Sequence, residues 1–208
     1  MTTVSKFEAS GRRKRVDAER SASVILDAAI VLLGERREAG MADVAVAAGV
    51  TRQTVYAHYP SRTELLAAVA SRVNAEVITA LGAVDLERGP ADAALRRWLG
   101  ACWRLIERYP VLLNPTAFAA GTGDQYESHQ PITQGLVGLI ERGRQARVFD
   151  RRLPVQWCVA AIISLGHTAA QELGAGRMNT RDAGRAFTES VLRVCRAEAT
   201  GRSGSDVR

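Results

Sequence analysis

Arg52, Gln53, Thr54, Tyr56 and His58 crowd into one short stretch, with Thr51 just before it and Arg62 just after. An Arg side chain pairs bidentately with the two acceptors on a guanine edge and Gln with those on adenine, whereas Thr, Tyr and His donate to phosphate oxygens. This set of side chains reads duplex DNA if one helix presents them together. Arg52 and Gln53 are then the expected base readers, and Thr54, Tyr56 and His58 the expected backbone contacts. Thr51 supplies the hydroxyl cap of that helix and, like Arg62, is also expected to contact DNA. Ser61-Arg62-Thr63-Glu64 has capping-box spacing and opens a further helix, so a phosphate near its amides would also meet Arg62.

Those side chains need an element that holds them in a groove, and the preceding residues supply it. Met41, Val44, Ala45 and Ala48 recur at helical spacing and give a short helix one narrow apolar face of mostly small side chains. Gly49 follows where a helix end enters the left-handed region, which is nearly free for glycine and costs most other residues about 1–2 kcal/mol. Val50 plugs the bend. In the second helix, Val55 and Tyr59 lie four apart and face inward with Val50, leaving the polar side chains outside. The pattern is a helix-turn-helix, with the second helix placed to enter the major groove.

Ile25-Leu26-Asp27-Ala28-Ala29, the run Ala48 to Tyr59 and Ser61-Arg62-Thr63-Glu64-Leu65-Leu66 together closely resemble the N-terminal domain of tetracycline-repressor (TetR) family regulators. The blocks agree in order and spacing over about the first third of the chain. The resemblance implies an all-α, dimeric transcription factor, usually a repressor, with a three-helix DNA-binding head and a larger helical body that binds an effector. It supports DNA-contact roles for Thr54, Tyr56, His58 and Arg62. Gly40 departs from the pattern, standing where the family commonly has a Ser or Thr cap. A glycine cap loses only a few tenths of a kcal/mol, although one hydroxyl contact to phosphate goes with it.

The chain has 208 residues, is 47% hydrophobic and carries a formal net charge of +6, with a pI near 9.8. That charge suits a polyanionic partner. Six basic side chains stand against three acidic ones in the first twenty residues, which reads as an arm, disordered when free, that reaches along the duplex. The sequence has neither an apolar signal segment nor an unbroken apolar run of membrane-spanning length, so a soluble cytoplasmic protein with no membrane partner is expected. Cys102, Cys158 and Cys195 are odd in number and sit in apolar patterns, as reduced core thiols do. His58, His129 and His167 are too dispersed for a metal site, and no cofactor motif, metal site or catalytic constellation is expected.

Beyond Arg72 the pattern remains helical. Leu66, Val69, Val73, Val77 and Leu81 form one stripe on a helix leaving the head for the body. Ala94, Leu95, Trp98, Leu99, Cys102, Trp103 and Ile106 mark a central helix. Pro110 is placed to start another, which Pro115 interrupts and Gly121-Thr122-Gly123 ends, and Pro131 opens the next. The last two helices, Pro154 to Leu173 and Thr180 to Ala197, are apolar over a wide surface and imply a homodimer interface. The expected organisation is a disordered basic arm over 1–16, a helix-turn-helix domain over 17–78, a helical effector-binding and dimerisation domain over 79–198, and a disordered tail over 199–208.

An effector pocket in the body would be concave, mostly apolar and furnished with a few polar groups. Trp103, Phe118, Tyr126, His129, His167 and Gln171 are the candidates to line it. A small molecule held there would act by tilting the helix that runs from Ser61 to Leu81 and so changing the spacing of two DNA-binding heads. The alternative from the same residues is an architectural DNA-binding protein without effector. A helical-bundle enzyme is disfavoured, since no nucleophile–base pair, phosphate loop or carboxylate dyad is present.

Overall fold

The computed structural model describes residues 3–113 and 130–196. Among them the chain forms eight α-helices and one 3-10 turn: α1 Thr3–Glu35, α2 Met41–Ala47, α3 Arg52–His58, α4 Arg62–Gly82, α5 Ala91–Arg108, the 3-10 turn Pro110–Leu113, α6 Gln130–Gln145, α7 Val155–Gly174 and α8 Thr180–Cys195. The expected all-α class holds, and two compact units share the described residues.

The first unit comprises residues 3–75 and 108–113. Its core is one stripe from each long helix, Ile25, Ala29 and Leu33 on α1 and Leu65, Leu66, Val69 and Val73 on α4, joined by Val44 of α2 and Val55 of α3. Each Val, Leu or Ile of this set taken fully out of water contributes about 1.5–3 kcal/mol. The 3-10 turn packs on α1 at Gly34, where a Cβ would stand 3.2 Å from Pro110 Cβ. That contact explains why 108–113 belongs to this unit rather than to the body.

One expectation is corrected here. The N-terminal arm is helical from Thr3 onward and continuous with α1, with residues 15–20 exposed. Residues 3–24 contain no proline and only Gly11 as a breaker. Once Ile25 and Ala29 anchor the helix, each added residue extends it at little cost, because the nucleus already exists. The tail over 199–208 lies outside the described residues.

The second unit comprises residues 76–107 and 130–196. Leu95, Leu99, Leu136, Leu139, Ile140 and Ile162 are all but fully buried in its core. The boundary between units falls inside α4, after Ala75, so this one helix contributes to both. Among the described residues, α4 alone is long and apolar enough to cross a membrane. It is nevertheless interrupted by Arg72, Asn74 and Glu76, and it buries Leu65, Leu66, Val69, Ala70 and Val73 against protein.

Arginines fasten the connections of this unit. Arg97 donates to the carbonyls of Asp85 and Arg88, and Arg142 to those of Leu86 and Gly89. Arg144 likewise donates to the Leu153 carbonyl. Asn179 caps α8 by accepting from the Asp182 amide at 2.9 Å. Cys158 and Cys195 are buried thiols and Cys102 is half-buried, none of them in a disulfide.

Candidate nucleic-acid interface

The bend between α2 and α3 is built on Gly49, with φ +65°. The Gly49 amide donates to Val46 O at 3.1 Å and the Val50 amide to Ala45 O at 3.0 Å, the paired bonds of a Schellman stop. Nothing lies within 4 Å of where a Gly49 Cβ would point, so backbone conformation alone demands glycine there. At the other end of α2, the Gly40 amide donates to Asp43 Oδ2 at 2.8 Å. Glycine has no side chain to return, so half of a capping box survives the loss of the hydroxyl.

Thr51 caps α3 as its spacing predicts, accepting from the Thr54 amide at 3.1 Å, with the two threonine hydroxyls 2.8 Å apart. Val55 is fully buried and turns α3 so that the opposite face is open. Tyr59 is half-buried at the end of the helix and donates to Ala22 O of α1 at 3.4 Å. Burial pushes its phenol above the usual tyrosine range, which keeps the proton in that bond. Arg52, Gln53 and Tyr56 are exposed, and Thr54 and His58 are half-exposed. The helix therefore presents all five expected DNA-facing side chains on one rigid, capped platform.

Two features were not foreseen. The Arg52 guanidinium lies 5.4 Å from the centroid of the Tyr56 ring, and its Nη2 donates to the phenol at 3.3 Å. This hydrogen bond to Tyr56 is the main reason Arg52 holds its proton more tightly still. The four-residue spacing is the available signal for such a pair. Arg62 is engaged on the protein's own backbone, with Nε donating to Ala39 O at 3.3 Å and Nη2 to Arg37 O at 2.9 Å. The Ser61-to-Glu64 cap is present, with the Glu64 amide donating to Ser61 Oγ at 3.2 Å.

Residues 25–69 match the family described as bacterial regulatory proteins, tetR family. Over these residues, which hold the helix-turn-helix, the chain is similar to the tetR family. The curated HTH-type transcriptional repressor LfrR of Mycolicibacterium smegmatis is 47% identical over 79 residues, which are 38% of this chain and 42% of LfrR, so the match spans less than half of that relative. The crystal structure of the TetR-like regulator LfrR from Mycobacterium smegmatis in complex with proflavine is similar over 85% of this chain and 96% of its own, with a TM-score of 0.61 and 28% identity. A TetR-family regulator of Thermus thermophilus, PfmR, is similar over 81% and 97% of the two chains, with a TM-score of 0.61 and 22% identity, a likeness of fold. The helix-turn-helix lies wholly within the family match, and so do all seven residues expected to contact DNA.

The body is less well read from sequence. Of the six expected pocket residues, Phe118, Tyr126 and His129 lie outside the described residues. Trp103 is half-buried on α5 and borders an open groove of about 700 Å³ against α8, with Arg96, Glu107, Arg181 and Arg185. Gly184 admits its indole, since a Cβ there would stand 2.6 Å from Trp103 Nε1. His167 and Gln171 are exposed on α7 together with Ser164 and Thr168, and do not join Trp103. Helix α7 buries Cys158, Val159, Ile162, Ala169 and Ala170, which turns His167 and Gln171 outward.

Proposed function

We propose that this chain is a sequence-specific DNA-binding repressor that acts in the cytoplasm as a homodimer and releases its operator when a small molecule binds the body. The observation that carries it is α3, capped at Thr51, anchored by Val55 and open on the face that bears Arg52, Gln53, Thr54, Tyr56 and His58. Arg52 and Gln53 read base edges, and Thr54, Tyr56 and His58 hold the phosphates on either side. To reach guanine, Arg52 leaves the Tyr56 ring, freeing the phenol for the backbone.

Dimerisation rests on α7. Trp157 is 62% exposed there, in line with the exposed Ser164, Thr168 and Gln171, and a large aromatic at that exposure suits the centre of a self-complementary interface. Two copies would place two α3 helices on half-sites one duplex turn apart, or a multiple of it.

Selection from a random duplex library tests the reading. A palindromic site preferred by about a thousandfold or more over random DNA is expected of a repressor, whereas an architectural protein enriches no sequence. Proflavine is the first compound to titrate against the selected complex, since LfrR was crystallised with it. A coupling of about 1–3 kcal/mol would weaken DNA binding about 5- to 150-fold.

A further inference from the structure

We infer that Arg62 is a positioning residue of the helix-turn-helix and not a phosphate contact, an inference that rests on the DNA-binding reading above. Its Nε and Nη2 form one edge of the guanidinium, and that edge is already spent on two carbonyls, Ala39 O at 3.3 Å and Arg37 O at 2.9 Å. Both carbonyls belong to the connection between α1, which ends at Glu35, and α2, which begins at Met41, and so lie outside either helix. Arg62 is itself the first residue of α4. A single side chain therefore ties the start of α4 to the seat of α2, across 25 residues of sequence that include the whole of α2 and α3.

The chemistry favours arginine for this task. A planar guanidinium presents paired donors in a fixed fork, whereas a lysine ammonium is a point charge that serves a phosphate equally well. The same connection has a second tie, where Arg36 lies 3.7 Å from Asp43 and Asp43 accepts from the Gly40 amide. Between them, Arg62 and Asp43 fix the entry to α2 before DNA arrives. Arg62 thus acts on DNA through the angle at which α2 and α3 are offered.

Three variants separate the two roles. Arg62→Lys keeps the charge and loses the fork, Arg62→Gln loses the charge and keeps one amide donor, and Arg62→Ala loses both. Binding of a fixed 40-base-pair random-sequence duplex is measured for each variant across a salt series. Amide exchange over residues 36–48 is measured without DNA. A positioning role predicts that Ala and Lys both weaken binding about tenfold with little change in the salt slope, that Gln retains more affinity than Lys, and that exchange quickens in Ala and Lys. A salt slope reduced by about 0.9 in Ala and restored in Lys, with exchange unchanged, would mark a lost phosphate and overturn the inference. Losses explained entirely by the unfolded fraction of each variant overturn it too, as would affinity unchanged in all three. A wild-type chain that fails to bind the duplex sinks the DNA reading instead, while the exchange data still judge the tether.

Discussion

At the scale of single residues, the interface separates those that read from those that hold. Gln53 is exposed on α3, so Gln53→Ala should leave thermal stability unchanged and relax base preference at one operator position by about 1–3 kcal/mol, measured by competition between operator variants. A uniform loss across all variants would instead make Gln53 a backbone contact. Gly49 holds the bend through conformation alone, with φ +65° and open space around it. Gly49→Ala should therefore cost about 1–2 kcal/mol of stability in chemical denaturation and nothing in packing, whereas an asparagine, which visits that region more readily, should cost less. Both residues were legible in the sequence because their reasons are local: a cap, a turn and a periodic face lie within a dozen residues of one another. The true partners of Arg62 were not legible. They are carbonyls, which every residue has, and nothing in a side-chain pattern singles out Arg37 or Ala39.

At the scale of elements, the helices of the body follow the apolar stripes and their spacing, and Pro154 and Asn179 stand at the starts of α7 and α8 as helix-opening residues do. Less legible is how closely those helices approach. Gly143 accommodates the Phe149 ring, which a Cβ would meet at 2.1 Å, and Gly184 does the same for Trp103. A glycine inside a helical pattern reads only as a weak spot until its neighbour across the fold is known. The arm at the N-terminus failed for the opposite reason, since its charge and serines suggested disorder while its helix-forming backbone had only to extend α1. The seam between α7 and α8 also makes a pH prediction. Burial first, and the neighbouring Cys158 second, push the Cys195 thiol from 9.0 up to about 12. The folded chain thus keeps a proton that the unfolded chain gives up, and stability should fall as pH rises from about 9 towards 12. Thermal melts over that range should show the fall in wild type and a shallower one in Cys195→Ala. Equal slopes would mean that the seam opens to solvent.

At the scale of the whole molecule, assembly and charge decide what the parts can do. Trp157→Glu should leave the helix content unchanged, because the side chain is exposed within one copy, yet should weaken self-association by about 2 kcal/mol or more, roughly thirtyfold in dimer Kd. Sedimentation equilibrium reads this directly, and an unaltered dimer would place the interface elsewhere. The net charge of +6 needs a different accounting from the one its size first suggests. Arg62, Arg97, Arg142 and Arg144 spend donors on the protein's own carbonyls, so basic residues here are in part internal fasteners and less of the total is offered to an anionic partner. The clasp of Arg97 and Arg142 on residues 85–89 carries one more consequence, for proteolysis. The stretch Asp85-Leu86-Glu87-Arg88-Gly89-Pro90 has the composition of a loop that trypsin would cut after Arg88. A protease must draw its substrate out as an extended strand, and here the carbonyls of Asp85, Leu86, Arg88 and Gly89 are all engaged. Limited trypsin digestion should spare Arg88 in the native chain and cleave there in Arg142→Ala, so the loop that looks most vulnerable should outlast its surroundings.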